Sequence, residues 1–352
     1  MIEKLLNILN LVASPAIFFA SIFFAISFLW GKLFLILNLK KYSEKQRIHK
    51  NEIPRFGGLI IFIYLITVGF FYYDNALIKI LLLCSIPIIF IGLIEDIFHN
   101  TKPRTRLFYM LFASTVFLVF MDTNFPTIDI PIINYFFDFQ YFNLIFFSFC
   151  MLIVINGSNL VDGVNGNLAF TILTQLTSLF FLSQMINDHS FNSLVLFISI
   201  PYLIFLIFNF PFCKIFFGDL GAYFSGFMIS ALTIFFYGTH PEIPSWGAVL
   251  VLFYPCIELL FSFIRKKVFE NKSPMSADLN HLHSIIHIFF AKKGFHLNSL
   301  ITIILFPMWL LPVMIIFIYD SILLIFLLLI FLILLYLLLY FIFRNLTLKK
   351  NV

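Results

Sequence analysis

Apolar runs, each about long enough to cross a bilayer and each closed by a short polar break, recur along the whole chain. The pattern predicts eleven membrane-spanning helices, at 11–37, 57–73, 77–94, 106–121, 142–158, 168–186, 192–210, 221–238, 246–264, 298–319 and 322–343. A helix needs about 20 apolar residues to cross the hydrocarbon core. The expected fold is therefore all-α: a polytopic integral membrane protein with a single transmembrane domain over residues 1–352. Its polar breaks at 38–56, 95–105, 159–167, 211–220 and 265–297 are expected to be loops on one side. A stretch beginning at Met1 to Lys4 resembles a signal peptide, but no small-x-small cleavage site follows, so an uncleaved first span is expected.

Composition agrees with the pattern. With 62% hydrophobic and 11% charged residues, the chain does not read as a soluble enzyme or a nucleic-acid binder, and no nucleic-acid partner is expected. Cys84, Cys150, Cys213 and Cys256 stand alone in or beside apolar runs, without metal-ligand spacing, and read as reduced packing residues.

Charge then fixes an expected orientation. Nineteen of the 22 Lys and Arg fall in one set of loops, among them Lys50, Arg55, Lys102, Arg104, Arg106, Lys214, Arg265, Lys266 and Lys267. The opposite loops carry Asp74, Asp122, Asp129, Asp138, Asp188, Glu242 and Asp320, balanced only by Lys79. Cytoplasmic loops are the basic ones, so the amino terminus is expected outside and the carboxyl terminus inside. The polar clusters that could carry chemistry all fall on the same, cytoplasmic side.

The densest cluster is Asn156-Gly157-Ser158-Asn159-Leu160-Val161-Asp162-Gly163-Val164-Asn165-Gly166-Asn167. Four Asn, one Asp and three Gly in twelve residues cannot face lipid, where each unsatisfied polar group costs several kcal/mol. On residue types alone, a plain polar turn is the better reading, and the other motifs have to shift it toward a site. Glu95-Asp96 ends the third span; two carboxylates at a helix carboxyl end oppose its dipole and call for a cation. Asp219 sits in Gly218-Asp219-Leu220-Gly221-Ala222, as an N-cap or as a hard oxygen ligand. His281-Leu282-His283 lies in the basic loop, where imidazole donation to phosphate oxygens fits better than zinc, since ligands at zinc spacing are missing. Glu258, inside the ninth span, is an ionisable group in lipid and a functional suspect by default.

Taken in order, these segments resemble the polyprenyl-phosphate N-acetylhexosamine-1-phosphate transferase family, within glycosyltransferase family 4. The family's N-x-x-N-x-x-D-G-x-(D/N)-G-L appears as Asn156, Asn159, Asp162, Gly163, Asn165 and Gly166, and its paired aspartates as Glu95-Asp96. Its G-D-x-G-(A/S) appears as Gly218 to Ala222, its His motif as His281-Leu282-His283, and its P-x-x-G-G as Pro54 to Gly58. The resemblance covers roughly residues 45–290. Three positions depart from it: Glu95 replaces an Asp, Asn165 takes the Asn alternative, and Asn167 replaces the usual Leu.

The resemblance implies a Mg²⁺-dependent phospho-sugar transferase, with Mn²⁺ as a substitute ion. A polyprenyl (undecaprenyl) phosphate oxygen would attack the β-phosphorus of a UDP-N-acetylhexosamine, release UMP and start a lipid-linked cell-envelope glycan. It implies Asp219 and Asn159 at the metal and Asp96, Glu95 and Asp162 as catalytic residues. Asn156, Asn165, His281, His283, Arg104, Arg106 and Lys50 would contact substrate, with Asn165 and Asp162 toward the uridine. The expected location is the bacterial inner membrane with the active site on its cytoplasmic face, in contact with membrane lipid; a homodimer is compatible with it. The alternative from a different class is a polytopic transporter or a flippase for lipid-linked glycans, without transferase activity. Transporters place ionisable groups near the midplane, often in repeats, whereas here they gather at one face.

Overall fold

The computed structural model describes residues 53–348 apart from 72, 129–135, 138, 274–275, 277 and 296–297. The first expected span, 11–37, and Lys50 lie outside the described residues. In lipid a chain satisfies its own backbone hydrogen bonds or not at all, which favours helices. Among the described residues there are helices and no strands.

The helices in order are α1 Gly57–Phe71, α2 Ala76–Cys84, α3 Ile86–Phe98, α4 Pro103–Phe120, α5 Gln140–Val161, α6 Asn167–Met185, α7 His189–Asn209 and α8 Gly218–Thr239. There follow α9 Trp246–Val251, α10 Phe253–Ile264, α11 Leu282–Ala291, α12 Asn298–Ile304, α13 Phe306–Leu310, α14 Ile315–Ile318 and α15 Ile322–Leu348. Each expected span from 57–73 onward is met by a helix or a broken helix. Among the described residues, five helices are long and apolar enough to cross a membrane, or up to seven spans if each of two bent pairs counts as one, fewer than the ten spans expected from 57–73 onward.

The breaks have local causes. α2 and α3 meet at 42°, where the Ser85 hydroxyl donates to the Leu82 carbonyl at 2.7 Å and Pro87 opens α3. Between α12 and the helices from Phe306 to Ile318 the chain bends by 53°, beside Pro307, which cannot donate to the preceding turn.

α8 is the axis of the bundle. Its membrane window is 94% buried, against 22% for α15, so α15 faces outward along most of its length. α8 packs on α1, α3, α5 and α6. Glycine permits two of these crossings: a Cβ on Gly58 would sit 2.0 Å from the Gly221 Cα, and one on Gly92 2.4 Å from the Leu220 Cα. Small residues allow such close backbone approach between membrane helices. The segment before α1 is sewn to the start of α8 as well, with Phe216 N–H to Pro54 O, Gly57 N–H to Phe216 O and Gly58 N–H to Phe217 O, each 2.9 Å. The first turn of α8, carrying Asp219, therefore lies where α1, α3 and α5 end together.

Candidate active site

Asp96, on the last turn of α3, accepts the backbone N–H of Asp219 at 2.8 Å and that of Leu220 at 3.0 Å. The first N–H groups of a helix lack partners within it, and a carboxylate from a neighbouring helix supplies them here. Gly218 makes the approach possible: its φ is +75°, and a Cβ would lie 2.6 Å from Asp96 Oδ2 and 2.5 Å from the Arg55 carbonyl oxygen.

Asp219 then meets the end of α5, where Asn159 Nδ2 donates to Asp219 Oδ1 at 3.2 Å. Asp162 is the first residue past α5. Burial pushes its carboxyl up to about 7; the Arg55 charge opposes that rise, and the Asp219 charge adds to it. One residue on, Gly163 supports the His283 ring so closely that a Cβ there would fall 1.9 Å from Nε2. Burial holds His283 down to about 4, with Glu258 opposing and His281 and His287 adding, so the ring is neutral near pH 7. Its Nδ1 is buried without a hydrogen-bond partner.

On the flank, Arg106 from α4 reaches Tyr223 Oη on α8 at 3.2 Å and Glu95 Oε1 at 3.5 Å. Glu95 Oε2 accepts the Thr101 N–H at 3.0 Å and also the Thr101 hydroxyl. The extra methylene of Glu95 is thus used to reach the turn that joins α3 to α4.

The loop 162–166 is stapled by amides. Asn167 Nδ2 donates to the Val161 carbonyl at 2.9 Å and to Tyr254 Oη at 3.2 Å. Leucine at this position makes neither bond, which accounts for the departure from the family pattern. Asn165 Nδ2 donates to the Pro211 carbonyl at 3.3 Å, its own carbonyl accepts from Thr302 at 2.6 Å, and its Oδ1 is buried without a partner.

Of the expected site residues, Asp96, Asn159, Asp162, Asp219 and His283 come together, with Glu95 and Arg106 beside them. Others are placed differently. Asn156 keeps its hydrogen bonds within the α4–α5 pair, to the Leu152 carbonyl at 2.9 Å and to Met110 Sδ at 3.4 Å. Arg104 is exposed on the first turn of α4. His281 has both ring nitrogens facing carboxylates, Nδ1 at 3.1 Å from Glu258 and Nε2 at 3.4 Å from Asp278, which leaves neither for phosphate. Part of the basic loop is paired internally too: Arg265 is held by Glu270 at 2.6 Å and Asp278 at 2.8 Å, and Lys272 by Glu270 at 3.0 Å. Two site residues were missed. Arg55, whose charge reaches Asp162, was visible only as the basic residue inside Pro54 to Gly58, and Tyr223 only as an aromatic in an apolar run.

Among the described residues, no three His, Cys, Asp or Glu side chains form a metal cage. Asp219 and Asn159 nevertheless suit a hard cation. Mg²⁺ is held by one or two carboxylates while substrate phosphates and water complete its shell. Turning the Asn159 amide over presents its oxygen beside the same carboxylate.

Comparison with known proteins agrees with this arrangement. The sequence profile described as glycosyl transferase family 4 matches residues 78–237, which include Glu95, Asp96, the Asn156–Asn167 loop and Asp219. The chain is 29% identical over 251 residues to the undecaprenyl-phosphate alpha-N-acetylglucosaminyl 1-phosphate transferase of Thermotoga maritima, covering 71% of this chain and 72% of that protein. It is 25% identical over 247 residues to a probable undecaprenyl-phosphate N-acetylglucosaminyl 1-phosphate transferase of Bacillus subtilis, covering 68% and 67%. It is 25% identical over 276 residues to the decaprenyl-phosphate N-acetylglucosaminephosphotransferase of Mycobacterium tuberculosis, covering 69% and 67%. With its motifs in order and meeting around the start of one buried helix, the chain is similar to members of glycosyl transferase family 4 across the part of the bundle that carries them.

Proposed function

We propose that this membrane protein transfers an N-acetylhexosamine-1-phosphate from a UDP-sugar to polyprenyl phosphate, with N-acetylglucosamine the sugar in its relatives' names. The bond formed joins a lipid phosphate oxygen to the sugar-bearing β-phosphorus. The bond broken is the diphosphate bridge, and UMP leaves with the bridging oxygen. A phosphate monoester is already largely ionised near neutral pH, so the task of the site is to bring two anions together and hold them in line.

Asp219 and Asn159 are the proposed holders of Mg²⁺. When bound, the ion supplies charge neutralisation and polarises phosphoryl oxygens. Asp96, with both oxygens engaged at the start of α8, aims the turn that carries Asp219 rather than acting as a base. Arg106 adds positive charge on the flank, and His283, neutral and lying on Gly163, offers an imidazole beside Asp162. Asp162 and Asn165 are the proposed residues on the uridine side. The Lys and Arg at the ends of α3, α4, α7 and α10 support a cytoplasmic site in the inner membrane.

The observation that carries this reading is the contact of Asp219 with Asn159 at 3.2 Å, on a turn clamped by Asp96. The test is UMP release by the purified protein from UDP-N-acetylglucosamine. Release that requires both undecaprenyl phosphate and Mg²⁺ is the expected result. Lipid flipping or solute uptake without UMP would replace this reading with the transporter class.

A further inference from the structure

Glu258 on α10 is 1% exposed and lies outside every motif used above. One of its oxygens, Oε1, accepts the Leu282 backbone N–H at 3.2 Å and faces His281 Nδ1 at 3.1 Å; the other accepts the Tyr336 hydroxyl of α15 at 3.0 Å. A buried carboxylate is tolerated only where partners compensate it; two of the three, His281 and the Leu282 N–H, do so at the start of α11, and Tyr336 does so from α15. On the far side of the His281 ring, Asp278 lies 3.4 Å from Nε2 and is itself held by Arg265 at 2.8 Å. His281 is therefore gripped between two carboxylates. Its ring runs parallel to that of His283, within 5° at 5.9 Å between centroids.

α10 is in turn fixed to the helix bearing Asn159. A Cβ on Gly157 would lie 2.1 Å from the Pro255 carbonyl oxygen, so α5 and α10 meet backbone to backbone one turn before Glu258. The distance from Glu258 to the loop 162–166 is thus set by helix packing, and the position of His283 over Gly163 follows from it.

We infer that Glu258 is a positioning residue for transfer, acting through His281 and the first turn of α11 to hold His283 against Gly163, with Tyr336 tying α15 to the same point. The inference rests on the proposed transferase activity. It adds that a carboxylate and a carboxyl-terminal helix beyond the profile match at 78–237 are needed for the site to be in register.

The experiment is a double-mutant cycle on kcat/KM for radiolabelled UDP-N-acetylglucosamine, with wild type, Glu258→Gln, His283→Ala and the double variant in the same detergent. Absence of turnover in the wild type would refute the transferase reading, a result distinct from failure of this inference. Given wild-type turnover, Glu258→Gln is expected to lower kcat/KM by about tenfold or more. In the His283→Ala background the same change is expected to cost less than about twofold, since coupled residues are not additive. A carboxylate that merely stabilised the fold would cost the same in both backgrounds, and that result, or wild-type kinetics in Glu258→Gln, overturns the inference. Glu258→Asp is expected to recover part of the loss. Should Glu258→Gln fail to fold, Tyr336→Phe carries the same cycle: a loss present with His283 and absent without it supports the inference, and an equal or absent loss overturns it.

Discussion

Asp96 at the carboxyl end of α3 and Asp219 at the amino end of α8 are joined end to end, the Asp96 carboxylate accepting the Asp219 N–H at 2.8 Å. A carboxylate at a helix carboxyl terminus is unfavourable, and one at an amino terminus is favourable. The positive end of α8 is thus the partner that Asp96 calls for, and the bond fixes the turn that carries Asp219, while Glu95 is met by Thr101 and Arg106. Asp96→Asn keeps the shape but sets an amide N–H against one backbone N–H. Leaving that group unsatisfied costs about 1–3 kcal/mol. UMP release is expected to fall by at least about tenfold, with a lower melting temperature. Wild-type rates in Asp96→Asn would show that the turn holds its aim without it.

Asp219→Asn removes the charge proposed to face the metal. Turnover is expected to fall to background at every Mg²⁺ concentration, read from UMP release across a Mg²⁺ titration. Near-normal activity removes Asp219 from the metal site.

Gly163→Ala places a methyl group 1.9 Å from His283 Nε2. Overpacking of this kind costs about 1–3 kcal/mol, so the variant is expected to melt earlier and turn over more slowly. Adding His283→Ala is expected to restore the melting temperature while leaving activity low. If the second change fails to restore it, the two residues are not in the contact described.

His283 gives stability a pH dependence with a defined sign. Its folded pKa of about 4 lies below the ordinary 6.5, so the unfolded chain binds the proton first as pH falls. Stability contributed by keeping this ring neutral is present above 6.5 and is lost as pH falls from 6.5 toward 4. Melting temperatures measured across that range are expected to fall more steeply for wild type than for His283→Gln. Equal slopes would mean that His283 is protonated freely in the folded protein.

The helices were legible because lipid leaves the backbone no other choice, and ten expected spans are met by helices. Runs of Asn, Asp and Gly between them were legible as sites for the same reason. Individual roles were not. His281 and His283 differ by two positions, yet only packing decides that one ring meets Glu258 and Asp278 while the other meets Gly163. The His motif read as a phosphate donor on both rings because nothing in the sequence shows Asp278 and Glu258 folding onto His281. Asn156 and Asn159 sit three residues apart in one motif, but a helix turns them to different neighbours, Met110 and Asp219. Asn167 read only as a departure from the motif, and it is a buried staple to Val161 and Tyr254.

The central claim is that two anionic substrates meet at Asp219 and that a phosphate moves with the sugar. Mass spectrometry of the lipid made from undecaprenyl phosphate and UDP-N-acetylglucosamine tests it most directly. The account predicts a lipid heavier by one N-acetylhexosamine phosphate, absent with Asp219→Asn. A lipid carrying the sugar without the second phosphate, or an unaltered lipid from active wild-type membranes, would contradict it.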